Sequence, residues 1–243
     1  YRRFMSDSIL KNFKDERDAI REFDSKTPVT TNLMGTYKPL DYFKFAKEMD
    51  IVSWDNYPAY NTPASFTAMT HDLMRGLKAG QPFMLMEQTP SQQNWQPYNS
   101  LKKPGQMRSM SYQAMAHGAD TVQFFQLRRS VGGCEKFHGA VIDHVGHEHT
   151  RVFREVSQLG VELARLGDQF LGARTPAKVG IIFDWPNYWG LEYASGPTTD
   201  LKYVDQIHHY YKELYRRQID VDMVSLEQDF SQYDLLIAPC LYM

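Results

Sequence analysis

Only two cysteines occur, Cys134 and Cys240, far apart in the chain. They exclude a clustered thiolate metal motif and leave no disulfide framework to read, so a reducing compartment is permitted and the cytoplasm is favoured. Net charge is nearly absent as well: 27 Lys and Arg stand against 29 Asp and Glu, for a formal charge of -2. A surface so balanced exerts no general attraction on nucleic acid or anionic lipid, and neither partner is expected. No stretch of about 18 apolar residues occurs, so no transmembrane helix is expected. Internal repeats and low-complexity tracts are missing too. What remains is a globular composition, 42% hydrophobic and 23% charged across 243 residues, which can bury a sizeable core. Aromatic rings are plentiful at 14%, with 15 Tyr, 14 Phe and 4 Trp, and such half-polar rings suit sugar ligands as well as they suit cores.

Apolar periodicity sorts the chain into alternating elements. Among many charges, Phe4, Ile9, Phe13 and Ile20 fall at roughly helical spacing, predicting a surface helix of a larger body over residues 2–23. TPVTTNLMG then reads as a strand with a glycine stop, KPLDYFKFAKEM as a short helix, and DIVSWDNYP as a strand ending in polar and aromatic residues. PASFTAMTHDLMRGLKAG is a helix closed by Gly80, and residues 82–86 are a buried strand with Glu87 at its tip. GQMRSMSYQAMAHGAD is a helix, TVQFFQL a strand and TRVFREVSQLGVELARLGDQFL a long helix. Four strand and helix units in alternation imply parallel strands joined by crossover helices. After GARTPAK the register changes. KVGIIFD, IDVDMV and YDLLIAPC read as strands and DQIHHYYKELYRRQ as an amphipathic helix, the start of a second, flavodoxin-like parallel sheet. The expected organisation is residues 1–172 as one α/β domain and 176–243 as the incomplete beginning of another.

In parallel α/β folds, chemistry gathers at the C-terminal ends of the strands. Those ends carry Asn32, the cluster Trp54, Asp55, Asn56 and Tyr57, then Glu87 and Gln126. A core strand gains nothing from ending on an acid. A glutamate at a barrel mouth does suit glycoside hydrolysis, in which a retaining enzyme uses one carboxylate as nucleophile and another as acid/base, ~5–5.5 Å apart. Glu87 is thus a candidate nucleophile, with a salt-bridged strand end as the plain structural alternative. A full eight-stranded barrel takes ~250 residues, and only four units fit before residue 172.

The segments MEQTPSQQNW, VSWDNYP and CEKFHGAVIDHVG, with MSDSILKNF and LDYFKFAKEMDIVSWDNYP, resemble the C-terminal half of the catalytic domain of glycoside hydrolase family 42, the retaining β-galactosidases. The likeness runs over essentially the whole chain. It implies a partial (β/α)8 TIM barrel, its fifth to eighth strands, followed by an amidotransferase-like domain that makes homotrimer contacts in the full-length protein. The implied substrate is a terminal β-D-galactoside, cleaved through a covalent galactosyl-enzyme, with no cofactor. Glu87 would be the nucleophile on the seventh strand, and the Tyr57 hydroxyl would orient it. Trp95 would lie against the apolar face of galactose. Glu135 and His138 would bind the hydroxyls that distinguish galactose from glucose, since a carboxylate beside an imidazole can accept and donate together.

Other features carry less. His144, His147 and His149 crowd together, but their spacing matches no structural zinc pattern, and no metal is assigned. A cysteine-based zinc site of the family would lie upstream of Tyr1. The HHYY run at 208–211 is expected to be core. Cys240 lacks the flanking glycines of a nucleophile elbow and reads as a buried thiol. The resemblance also exposes a gap: the family's acid/base glutamate follows an asparagine, and the dipeptide Asn-Glu occurs nowhere in the 243 residues. The expectation is a fragment of a longer enzyme with its acid/base upstream of residue 1. The competing readings are a non-catalytic galactoside-binding or assembly module and a retaining barrel glycosidase of other sugar preference.

Expressed alone, the chain is expected not to hydrolyse β-galactosides, because general acid catalysis by itself contributes ~10²–10⁴-fold and half of the mouth's wall is missing. An assay with nitrophenyl β-galactoside beside the full-length parent checks this. Comparable turnover in the two would place the acid/base inside this sequence.

Overall fold

The computed structural model describes residues 1–193, 196 and 198–242. Its architecture is α/β with two parallel sheets. The first sheet has four strands in sequential order: β1 (Asn32–Leu33), β2 (Ser53–Asp55), β3 (Phe83–Glu87) and β4 (Ala119–Val122). Its helices are α1 (Arg2–Arg21), α2 (Tyr42–Glu48), α3 (Ala64–Gly76), α4 (Gln106–Ala116) and α5 (Arg151–Phe170). The second sheet contains β5 (Val179–Ile182), β6 (Val221–Val224) and β7 (Leu235–Ile237) in the order β6-β5-β7, with α6 (Trp185–Leu191) and α7 (Tyr203–Arg216) in its first crossover. This is the 2-1-3 order with which flavodoxin-like sheets begin.

Local chemistry sets the helix boundaries. Asp41, Thr150 and Asp184 cap α2, α5 and α6, each accepting a hydrogen bond from the backbone N–H three residues on, at 3.4, 3.2 and 2.7 Å. Gly80, at φ +84°, turns the chain after α3 and donates its N–H to the Arg75 carbonyl.

Several elements depart from the sequence expectation. The fourth strand occupies Ala119–Val122 rather than residues 121–127. Backbone bonds continue from Gln123 to Leu85 and from Phe125 to Gln88, after which the chain leaves the sheet and Gln126 lies beyond it. α6 forms where no helix is expected, although Asp184 as cap and Pro186 in the first turn are helix-start signals. On α1 the inward face is Ser6, Leu10 and Phe13, while Phe4, Ile9 and Ile20 are exposed. Polar bonds set that orientation: Ser6 Oγ accepts from the Asp41 N–H at 3.0 Å, and Arg17 reaches Glu48 at 2.7 Å. Of the HHYY run only Tyr211 is fully buried; the helix turns ~100° per residue, which carries Tyr210 into solvent.

The element that ties the molecule together is α3. Residues 67–76 are all buried, because the helix lies between the first sheet and the face made by β6 and α7. Its C-terminal end touches β6 so closely that a Cβ at Gly76 would stand 1.9 Å from the Met223 carbonyl oxygen. Two buried polar residues of α3, Asp72 and Arg75, find partners across this seam, whereas neither ring nitrogen of the buried His71 has one among the described residues. Arg75 donates to Asp72 at 2.6 Å, to the Val221 carbonyl at 2.8 Å and to Asp222 at 3.0 Å. The Tyr211 hydroxyl donates to Asp72, and the Tyr233 hydroxyl to Asp222. An aromatic cluster closes the other end of the seam: Tyr42 and Phe43 of α2 meet Trp185 at 5.3 and 5.8 Å between ring centres.

Gly76→Ala is expected to destabilise the protein by ~1–3 kcal/mol, the range for overpacking a filled core, since the obstructing atom is backbone and cannot rotate away. Urea denaturation followed by circular dichroism measures the change. An unaltered midpoint would mean that α3 and β6 are not in contact in solution.

Candidate active site

Two carboxylates share one rim. β2 and β3 run parallel with Asp55 opposite Glu87 in register, so neighbouring strand tips each present an acid. The Asn56 N–H donates to the Glu87 carbonyl at 2.8 Å, carrying the ladder one residue past the strand and leading into Tyr57. The Tyr57 hydroxyl donates to Glu87 Oε2 at 2.7 Å. Burial, then the bond to that carboxylate, pushes the phenol well above its usual range, so it remains a donor. Asp55 accepts from Asn32 Nδ2 at 2.5 Å. Burial raises the Asp55 pKa to about 6; the Asn32 bond works against this rise and the charge of Glu87 adds to it.

Above the rim, the loop after Glu87 meets the loop after β4. The Gly139 N–H donates to the Gln92 carbonyl at 2.8 Å, Asn94 Nδ2 to the Cys134 carbonyl at 2.5 Å and Gln92 Nε2 to the Phe137 carbonyl at 3.1 Å. A side chain at 139 has no room: a Cβ would lie 2.8 Å from the Gln92 nitrogen and 2.9 Å from Thr89 Oγ1. Arg129 braces the far side through the Lys136 and Phe137 carbonyls and Asp143. His138 is thereby buried against Trp95, their rings stacked at 5.2 Å, and Tyr57 stands edge-on to both. Tyr57, Glu87, Trp95 and His138 form one constellation. Glu135 is half-buried on the adjoining loop, near enough for its charge to act on Tyr57 and His138.

The proton on His138 can be located. Its Nδ1 lies 2.9 Å from the Gly139 carbonyl oxygen, and a carbonyl only accepts, so Nδ1 carries the hydrogen. Nε2 is left as a lone-pair acceptor, buried and without a partner among the described residues. Burial lowers the imidazole pKa and favours the neutral ring. The free imidazole nitrogen is therefore an acceptor, not the donor that the sequence reading allows. Asn56 Nδ2, Gln88 Oε1 and Gln126 Nε2 are also buried and unpaired beyond the strand ends. Buried polar atoms left open in this way are free to bond a polar ligand or solvent.

A cavity of about 530 Å³ opens beside them, lined by Trp54, Asp55, Asn56, Tyr57 and Trp95, within the size range of small-molecule sites. Glu87 is not itself in the lining; it is joined to the wall by its bond to Tyr57. One face of Trp95 is free, the residue being 52% exposed. Among the described residues no group of three His, Cys, Asp or Glu is placed to hold a metal; the rings of His147 and His149 are near each other, while His144 bonds the Ser130 carbonyl. Sequence reading missed Arg129, Gly139 and Gln88. The first two act through backbone groups, Arg129 on its own loop and Gly139 on the loop after Glu87, which no spacing rule reports. Gln88 follows Glu87 directly and was open to notice as a second polar residue at a strand end.

The family profile described as Beta-galactosidase matches residues 1–166, and that described as Beta-galactosidase trimerisation domain matches residues 177–243. The chain is 67% identical over its whole length to the β-galactosidase BgaP of Planococcus sp. (strain L4) and 54% identical to the β-galactosidase LacZ of Lactobacillus acidophilus, covering 36% of each. It is similar to the crystal structure of a β-galactosidase from Bacillus circulans sp. alkalophilus, with a TM-score of 0.99 and 66% identity over 100% of this chain and 36% of that one. The chain thus spans about a third of the length of the curated relatives it matches.

Asp55 supplies a titration to follow. With a folded pKa of about 6 against an ordinary 3.8, its ionisation costs more in the folded state, so stability present at acid pH is lost as pH rises from about 4 through about 6. Asp55→Asn removes that loss, and its stability relative to the native protein is expected to climb over the same interval. Urea midpoints across the pH series measure it; a flat difference would return Asp55 to an ordinary carboxylate.

Proposed function

The chain belongs to the β-galactosidases of glycoside hydrolase family 42, and on that premise we propose that it forms part of a retaining β-galactosidase. The enzyme releases terminal non-reducing β-D-galactose through a covalent galactosyl-enzyme intermediate. The observation that carries the reading is the Glu87 carboxylate at a strand tip, with one oxygen held by the Tyr57 hydroxyl at 2.7 Å. That bond fixes the carboxylate plane and leaves Oε1 to attack the anomeric carbon. In the second step water attacks the same carbon, and Glu87 departs as a carboxylate.

Trp95 offers its exposed indole face to the C–H face of the sugar. Glu135 and the His138 Nε2 lone pair are both acceptors, so each takes a hydroxyl hydrogen from galactose. An epimer that moves one of these hydroxyls leaves a buried acceptor unpaired, which costs ~1–3 kcal/mol. This arrangement favours galactose over glucose and counts against a barrel glycosidase of other preference.

The four strands of the first sheet are assigned as the fifth to eighth of a (β/α)8 barrel, with residues 1–172 in that domain and 176–243 in the next. The acid/base that protonates the leaving oxygen is placed outside these 243 residues. The absence of an Asn-Glu dipeptide and the 36% coverage of the relatives support this. The match of residues 177–243 to a trimerisation domain supports a homotrimer of the longer protein.

In the full-length parent, Glu87→Ala is expected to lower kcat by several orders of magnitude, with added azide restoring part of the turnover as the inverted α-galactosyl azide. Steady-state kinetics and product NMR follow both effects. Undiminished turnover in the variant would end the assignment.

A further inference from the structure

Glu135 and His138 are the first and last residues of a single turn, closed by the bond from the His138 N–H to the Glu135 carbonyl at 2.9 Å. The two residues between them, Lys136 and Phe137, carry exposed side chains and give their carbonyls to one group. Arg129 Nε donates to the Lys136 carbonyl at 3.2 Å and Nη2 to the Phe137 carbonyl at 3.0 Å, while Nη1 donates to Asp143 at 2.9 Å. All three guanidinium nitrogens are thus engaged, on a side chain only 15% exposed. A planar fork has fixed donor directions, so it holds its acceptors at a fixed separation. The Phe137 carbonyl takes a second bond, from Gln92 Nε2 at 3.1 Å, which ties the same peptide unit to the loop after Glu87.

The two ends of the turn are held differently. His138 has anchors of its own: Nδ1 donates to the Gly139 carbonyl, the Gly139 N–H donates to the Gln92 carbonyl, and the ring stacks on Trp95. The Glu135 carboxylate has no hydrogen bond or ion pair among the described residues. Its placement comes from the turn's backbone, and the turn's backbone is set by Arg129. The base of the loop is built separately, by bonds from the Val141 N–H to the Gln126 carbonyl, from the Ile142 N–H to the Leu127 carbonyl and from the Arg129 N–H to the Ile142 carbonyl, at 2.9, 2.7 and 2.9 Å. Those backbone bonds do not depend on the side chain at 129.

We propose that Arg129 is a positioning residue for sugar selection, fixing the Glu135 carboxylate relative to the His138 imidazole so that both acceptors stand where galactose presents its hydroxyls. The inference rests on the galactosidase reading and on the roles proposed there for Glu135 and His138. Arg129 itself makes no contact with substrate. Without its fork the carbonyls at 136 and 137 turn to water and Glu135 samples several positions. The cost of ordering it then falls on substrate binding and not on the chemical step.

Arg129→Gln and Arg129→Lys in the full-length parent, assayed with nitrophenyl β-galactoside and nitrophenyl β-glucoside, test this. Arg129→Gln is expected to raise KM for the galactoside about tenfold, the worth of one hydrogen bond to a charged group, with kcat little changed. The ratio of kcat/KM between galactoside and glucoside is expected to fall by a similar factor. Arg129→Lys keeps the charge facing Asp143 but offers one donating point where the fork offers three, and is expected to move in the same direction. In a double-mutant cycle with Glu135→Gln, the second substitution should add little to the first. Circular dichroism identifies the folded variants. A native ratio in either folded variant, equal loss on both sugars, losses that add in the cycle, or collapse of the fold in both variants would overturn the inference. Glu87→Ala in the same parent keeps two failures apart: turnover retained there removes the hydrolytic reading, whereas an inactive Glu87→Ala beside an unchanged ratio in Arg129→Gln overturns the positioning role alone.

Discussion

The whole arrangement depends on burying one helix from two sides. α3 packs on the first sheet with one face and against β6 and α7 with the other, and it can do so only because Gly76 lets two backbones touch and because Arg75 and Asp72 find their partners across the seam. A buried ion pair is weak evidence of net stability, since desolvation opposes its attraction. Its value here is geometric. Asp72 accepts from Arg75 and Tyr211, and Asp222 from Arg75 and Tyr233, so one relative placement of the sheets satisfies every oxygen. The two matched family segments are therefore separate in sequence and joined in packing.

That seam reaches the rim through chain connectivity. α3 begins a few residues after Tyr57 and ends a few residues before β3, whose last residue is Glu87. The hydroxyl and the carboxylate it meets are thus held at the two ends of one rigid connection. The acceptor state of His138 has a comparably simple origin. A single backbone carbonyl, that of Gly139, takes the Nδ1 proton, and the close approach that Gly139 alone permits keeps the imidazole under Trp95.

Much of this was legible in the sequence, and the reasons differ from residue to residue. The alternation of strands and helices follows from apolar period, and the strand ending on Glu87 stands out because its last residue contradicts its pattern. The roles proposed for Tyr57, Trp95, Glu135 and His138 come from a resemblance and not from spacing, for a tyrosine before proline or a loop tryptophan has no signature of its own. Arg129 was illegible because two of its three partners are carbonyls, which every residue has. The apolar face of α1 misled because ion pairs and a serine, not Phe4 and Ile9, decide which side faces inward.

The bonds between the two loops have a dynamic consequence. Residues 92–94 and 134–139 are joined by three hydrogen bonds, two of them donated by side chains and one running backbone to backbone. Neither loop can shift without breaking contacts that belong to the other, and Gln93 Nε2 ties the first of them to the Tyr57 and Pro58 carbonyls as well. A ligand therefore meets its aromatic plate and its imidazole acceptor already assembled.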